Sequence, residues 1–255
     1  MNHNNTNPRD DIVAGRNAVL ELLKTGRHIE CVYLQKGISG TVLKIAAIAR
    51  DKGIVIKDVP QQKLDELCGG ERHQGVAAQT SSIPYSEMDD VFKKAKEQDV
   101  PPFIVIADEI EDPHNLGAII RSAEAAGAHG LIIPKRRSAG LSLIVSKTSA
   151  GAALHLPVVR VSNLVSAIEA LKSRGVWIYA ADTGGGDWCR TDFSGAVALV
   201  IGSEGRGIGR LIKEKCDFTV SLPMLGKLSS LNASVAAGVI MYEIARQRLN
   251  IPART

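Results

Sequence analysis

Residues 103–134 read FIVIADEIEDPHNLGAIIRSAEAAGAHGLIIP. The opening FIVIADEI is rich in β-branched residues and lacks polar alternation, as expected of a strand buried on both faces. NLGAIIRSAEAAG has the small, aliphatic character of a packed helix, and HGLIIP reads as another strand. Strands alternating with helices imply a mostly parallel sheet covered on both sides. Asn115 stands where a helix N-cap belongs. Arg121, six residues on, is a guanidinium on an otherwise small apolar helix, so it either snorkels to solvent or is held for a purpose.

The alternation continues outward. After HGLIIP the sequence predicts a helix in LSLIVSKTSAGA, a strand in LPVVRV, a helix in NLVSAIEALKSRG and a strand in VWIYAAD. A glycine-rich loop leads to strand AVALVIG, short helix GIGRLIKEKC, strand FTVSLP and a final helix. Before residue 86 there is a second, smaller α/β alternation: helix GRNAVLELLKTG, strand IECVYLQ, helix TVLKIAAIARDKG, strand IVIKDV, helix QQKLDELCGG and strand QGVAAQT. The charged stretch 86–99, closed by Pro101 and Pro102, marks a composition shift. The expected organisation is a tail over residues 1–10, a small α/β domain over 11–82, a linker over 83–100, helical in part, and a large α/β domain over 101–255.

The 255 residues carry a net charge of +4, with 45% hydrophobic and 4% aromatic residues. That mild basicity is compatible with an RNA partner, while so few aromatics argue against base stacking on an aromatic platform. Cys31, Cys68, Cys189 and Cys216 form no CxxC pair, so neither a disulfide framework nor a zinc site is expected. No apolar run is long enough to span a bilayer. These features predict a cytoplasmic protein without membrane or metal.

Two further loops carry chemistry. In ALVIGSEGRGIG a strand enters a glycine-rich turn, where backbone N–H groups are free to meet a ligand. The turn lacks GK[ST] and the GxGxxG spacing. About 46 residues follow Gly209, too few for the βα units an ordinary dinucleotide fold needs after its first glycine loop, which sets aside a nicotinamide enzyme. Glu204, an acid inside this turn, exceeds what such a loop requires; its bland role is a carboxylate favouring a helix dipole. In KLSSLNASVAAGVIMYEIARQR, residues 227–248, Ser229, Ser230 and Asn232 crowd the start of a helix that needs one cap. The surplus predicts a binding site. Arg246 and Arg248 at the far end suit the helix dipole.

NLGAIIRSAEAAGAHGLII, LVIGSEGRGI and LPMLGKLSSLNASVAAGVIMYE, in that order, resemble the three motifs of the SpoU/TrmH family of RNA ribose methyltransferases, members of the SPOUT class. GRNAVLELL and RHQGVAA resemble the N-terminal substrate domain of its RlmB-type branch, similar to the L30e/L7Ae fold. The resemblance implies a parallel α/β sheet with a deep C-terminal trefoil knot. It also implies S-adenosylmethionine as methyl donor, a guanosine 2′-hydroxyl of 23S rRNA as acceptor, and a homodimer with its active site near the subunit interface. Carried over, Ile201, Gly202, Leu222, Met224, Ser230 and Leu231 would meet the cofactor, and Asn115, Arg121, Glu204, Ser230 and Asn232 fall on the polar catalytic positions. An arginine at position 121 is a poor general base, because a guanidinium stays protonated above pH 12. Binding a neighbouring phosphate and stabilising oxyanion charge suit it better. Arg16, Arg72, Lys135, Arg136 and Arg137 are further RNA-binding candidates. The rival readings are a tRNA ribose methyltransferase, an rRNA methyltransferase conferring antibiotic resistance, and a non-catalytic RNA-binding protein.

Overall fold

A computed structural model describes residues 11–24, 28–37, 40–81 and 83–252. The tail expected over residues 1–10 lies outside the described residues. The chain divides into two compact units, residues 1–84 with 140–144, and residues 85–139 with 145–255.

The first unit holds β1 (Ile12–Ala14), α1 (Arg16–Lys24), β2 (Ile29–Gln35), α2 (Thr41–Asp51), β3 (Val55–Val59), α3 (Gln61–Cys68) and β4 (Val76–Thr80). Its sheet runs β1-β4-β2-β3, with β2 and β3 parallel and β4 antiparallel to both its neighbours. Alternation along β4 sorts the two faces. Val76 and Ala78 join Val19, Leu23 and Ile45 under α1 and α2, while Ala77 meets Leu64 and Cys68 of α3. Strand β1 is absent from the sequence reading: three residues are too short to show a period, and pairing with β4 makes them a strand.

The second unit begins with α4 (Met88–Glu97), inside the stretch expected to be a linker. The linker expectation fails because Val91 and Ala95 are fully buried, Val91 in the core cluster of this unit. Its charged residues occupy the outer face of an amphipathic helix. There follow β5 (Phe103–Ala107), α5 (Pro113–Ala125), β6 (Gly130–Pro134), α6 (Leu143–Thr148, whose first two residues count with the first unit), β7 (Val158–Val161), α7 (Leu164–Ser173), β8 (Trp177–Asp187), β9 (Val197–Ile201), α8 (Arg210–Lys213), β10 (Phe218–Ser221) and α9 (Ala233–Arg248). Six strands, all parallel, lie in the order β10-β8-β9-β5-β6-β7. One face buries Ile104, Ile106, Ile178 and Val200 with Ile168 and Leu171 of α7. The period of two turns Phe103, Val105 and Leu199 to the other face. All are fully buried.

Two expected helices are shorter than read: LSLIVSKTSAGA is helical only over Leu143–Thr148, and GIGRLIKEKC only over Arg210–Lys213. The glycine-rich loop after VWIYAAD is instead the end of β8. Gly184 takes φ 76°, and a Cβ on Gly185 would lie 2.4 Å from the Thr219 carbonyl oxygen, so this strand and β10 pair across a break in register only with glycine there.

Arg248 does more than complement a helix dipole. It donates to the carbonyls of Pro101, Pro102 and Gly195 at 2.7, 3.0 and 2.9 Å, and lies over the Phe103 ring. The end of α9 is thereby fastened to the chain entering β5.

Candidate active site

The carboxyl ends of β8, β9 and β10 open into a pocket of about 370 Å³. In open parallel sheets this end is where ligands bind. Ile201, Gly202, Leu222, Met224, Ser230 and Leu231 all line it, as do Glu204 and the side of α9. Every residue expected at the cofactor therefore lies on one cavity, though they come from separate loops.

The wall is built by close backbone approach. After β9 the turn Ser203–Gly207 closes on itself, with Ser203 N–H donating to the Gly207 carbonyl at 3.1 Å and Gly207 N–H returning to Ser203 at 2.8 Å. A Cβ at position 202 would sit 2.2 Å from the Gly207 carbonyl carbon and 2.3 Å from the Ile208 nitrogen. Only glycine fits. Asp108, at the end of β5, accepts from Gly209 N–H at 2.8 Å and pins the far side of the turn. Burial pushes its carboxyl above the usual range, against the lowering effect of that hydrogen bond. The sequence reading passed over Asp108; its signal was an acid closing an apolar strand.

The polar residues meet at one carboxylate. Glu204 Oε1 accepts from Asn115 Nδ2 at 3.1 Å, from Asn232 Nδ2 in a short contact, and from Ala233 N–H at 3.4 Å. Asn232 Nδ2 also donates to Asn115 Oδ1 at 3.0 Å. Glu204 thus supports the N-terminus of α9, not that of α8. Oε2 of Glu204 makes no hydrogen bond among the described residues. Asn232 is the cap of α9, its Oδ1 accepting from Ser234 and Val235 N–H at 3.0 and 3.2 Å. Ser229 and Ser230 are thereby left to line the pocket. Asn115 is not the cap of α5. Asp112 takes that role, accepting from His114 N–H at 2.9 Å, and Pro113 occupies the first turn. Asn115 is freed to reach Glu204.

Arg121 does not join this cluster. It is exposed on α5, lines neither this pocket nor the cavity beside it, and makes no hydrogen bond or ion pair among the described residues. Helices α5 and α9 run side by side, Ser122 against Gly238. On the outer side of α9, Val235, Val239 and Tyr242 are 52%, 37% and 55% exposed at spacing i, i+4, i+7. That is an apolar stripe on a helix already buried on its other side.

Asp182, at the pocket edge, accepts from Lys213 Nζ at 2.7 Å and Thr183 N–H at 2.7 Å. Burial opposes its ionisation, but these bonds hold the carboxyl below its usual range. Of the other RNA candidates, Lys135 and Arg136 are exposed. Arg137 donates to Glu109 at 2.9 Å. In the first unit Arg16 Nε donates to the Gln74 carbonyl at 3.0 Å, and Arg16 and Arg72 line a polar cleft of about 730 Å³ with His73 and Asp65. Among the described residues no group of acids, histidines and cysteines could hold a metal, and no helix is long and apolar enough to cross a membrane.

Comparison with known proteins gives this architecture its class. Residues 102–242 match the SpoU rRNA Methylase family, and residues 12–86 match the family described as RNA 2'-O ribose methyltransferase substrate binding. The chain belongs to the SpoU family of RNA ribose 2′-O-methyltransferases. It is 49% identical over 240 residues to YacO of Bacillus subtilis strain 168, assigned to the TrmH family of tRNA/rRNA methyltransferases, covering 93% of this chain and 96% of that one. Among solved structures it is similar to the SpoU methyltransferase AviRb of Streptomyces viridochromogenes in complex with AdoMet, with TM-score 0.58, 27% identity, and coverage of 94% and 90%. It is also similar to the TrmH/SpoU tRNA modifying enzyme of A. aeolicus, with TM-score 0.55, 29% identity, and coverage of 63% and 85%.

Proposed function

We propose that this chain, as a homodimer, transfers a methyl group from S-adenosylmethionine to the 2′-hydroxyl of a guanosine in 23S rRNA. The observation that carries the reading is the meeting of Asn115, Glu204 and Asn232 at the wall of the strand-end pocket. The cavity volume falls in the range of small-molecule sites, roughly 300–1,000 Å³. Leu222, Met224, Leu231 and Ile240 offer an apolar wall to a purine, and the carboxylates of Asp182 and Glu204 favour a cationic ligand. These residues fit S-adenosylmethionine. That cofactor supplies a methyl group on a sulfonium, so the driving force arrives with the reagent.

The chain supplies alignment, worth up to about 7–11 kcal/mol in well-oriented systems. Oε1 of Glu204 is committed to two amides and a backbone N–H, which fixes the carboxylate and leaves Oε2 to accept from a ribose hydroxyl. Asn115 and Asn232 hold that carboxylate in place. Loss of the hydroxyl proton to water or phosphate accompanies transfer. A second copy covering Val235, Val239 and Tyr242 would put Arg121 beside the interface, where its charge would face RNA held by the partner. The knot implied by the family belongs to the same proposal. Its support is the strand order, in which the chain leaves β10 beyond β8 and must return past the glycine turn to start α9.

The substrate-binding match over residues 12–86 and the rRNA description of the main family favour ribosomal RNA. The experiment is methylation with labelled S-adenosylmethionine of separated 23S rRNA and tRNA from cells lacking the gene, followed by mapping. Label confined to tRNA refutes the rRNA reading. Calorimetry that finds no binding of S-adenosylmethionine refutes catalysis altogether.

A further inference from the structure

Arg206 occupies the tip of the glycine turn and lines two cavities at once: the strand-end pocket and a neighbouring one of about 300 Å³ that also touches Asn115, Glu204 and Glu109. Its side chain is 78% exposed, with Nη1 3.7 Å from Glu109 Oε2. The other oxygen of Glu109 is held by Arg137 Nη1 at 2.9 Å. One carboxylate thus sits between two guanidiniums brought from three segments: the end of β5, the loop after β6 and the turn after β9. Glu109 and Arg137 both adopt left-handed backbone, at φ 54° and 55°. Such conformations are unfavourable for non-glycine residues and persist where the surroundings impose them, often at ligand sites.

The charges of the smaller cavity select its ligand. Among the described residues lining it, Glu109, Glu111, Asp112 and Glu204 are acids and Arg206 is the one cation. A bare anion is repelled by such a wall. A nucleotide is not, because its hydroxyl and base N–H groups donate to carboxylates while its phosphate takes the guanidinium at the rim. The loose 3.7 Å contact orients Arg206 without using up its donors.

We infer that Arg206 binds the RNA phosphate adjoining the ribose to be methylated, and that Glu109, itself held by Arg137, is the positioning residue that aims it. This rests on the RNA 2′-O-methyl transfer reading above. It places a phosphate-binding cation of the same chain at the site where Arg121 is missing.

The test uses full-length protein with Arg206→Ala, Arg206→Lys and Glu109→Gln, and Arg190→Ala as an exposed control. The probe is total RNA from cells lacking the gene. RNA affinity without cofactor is measured across a salt series, S-adenosylmethionine affinity by calorimetry, and KM and kcat for RNA separately. Arg206→Ala is expected to weaken RNA binding about tenfold and to reduce the log–log salt slope by roughly 0.7–0.9, one phosphate contact. Cofactor affinity should fall by less than RNA affinity, because Arg206 lies at the pocket's exposed rim. Arg206→Lys keeps the slope and recovers part of the affinity, since it keeps charge but loses the fork. Glu109→Gln raises KM for RNA although it adds net positive charge, the opposite of a bulk electrostatic effect. An unchanged slope in Arg206→Ala overturns the inference, as does a loss confined to cofactor affinity. Wild-type protein that binds S-adenosylmethionine and methylates RNA while Arg206→Ala matches it sinks this inference alone; wild-type protein that does neither sinks the underlying reading too.

Discussion

Gly202→Ala puts one methyl group where the structure has no room. The new carbon would lie 2.2, 2.3 and 2.4 Å from the Gly207 carbonyl carbon, the Ile208 nitrogen and the Gly207 oxygen, all backbone. Relief needs the turn to open by about 1 Å, from these contacts to ordinary van der Waals distance. Opening strains the two hydrogen bonds between Ser203 and Gly207 and the bond from Gly209 to Asp108. Overpacking costs about 1–3 kcal/mol, and each hydrogen bond lost adds about 1 kcal/mol. With one of these three bonds lost, the expected cost is about 2–4 kcal/mol. Both tryptophans, Trp177 and Trp188, belong to the second unit, so urea unfolding followed by their fluorescence reports on the unit that holds the site. Because Gly202 lines the pocket, S-adenosylmethionine affinity measured by calorimetry should drop at least about tenfold, the equivalent of 1.4 kcal/mol. A variant within about 0.5 kcal/mol of wild type, with unaltered cofactor affinity, would refute the argument from backbone crowding.

Asn232 separates capping from site chemistry: Asn232→Ala should cost about 1 kcal/mol, whereas Asn232→Ser restores the cap. Both should lose methylation, because alanine has no donor and the single, shorter hydroxyl of serine cannot donate to Glu204 and Asn115 together; an active serine variant contradicts the role given to the amide. His129 is buried, accepts from Phe103 N–H at 2.8 Å, and has its pKa lowered to about 4 by burial and by the charges of Arg248 and Lys94. The unfolded chain then binds the extra proton first, so stability is full above about pH 6.5 and falls toward pH 4. Between pH 7 and 5 this amounts to roughly 2 kcal/mol, which His129→Gln should abolish in paired urea titrations. Arg248→Met leaves three carbonyls without their donor, with an expected cost of about 2–3 kcal/mol by denaturant unfolding. Val239→Glu places a charge on the exposed stripe of α9, and light scattering should show the proposed homodimer replaced by monomer.

Much of the second unit was legible because β5, β6 and β9 are nearly unbroken aliphatic runs and glycines, Gly127 and Gly175, close off α5 and α7. What escaped depended on partners far along the chain. Ile12–Ala14 is a strand because β4 lies beside it. Gly184–Gly186 remain in β8 because Thr219 approaches so closely, and glycines read locally only as a loop. The charges of α4 hid two buried positions, Val91 and Ala95. At the site, the family resemblance singled out Asn115, Glu204 and Asn232 but not their convergence on one oxygen. A local rule misassigned the cap of α5, since Asp112 and Asn115 are both capable residues and only the backbone path decides between them. Arg121 fitted its motif and yet stands outside the pocket of its own chain.

The clasp of Arg248 on Pro101, Pro102 and Gly195 has a bearing on biosynthesis. Translation delivers the first unit early, and it can condense while the remainder is still being made. The larger unit closes only once Arg248 has been made, 147 residues after the Pro101 carbonyl that it holds. During that interval the pocket lacks the wall that Ala233, Ala236 and Ile240 of α9 supply, so the site is completed only after all six strands of its sheet have been made.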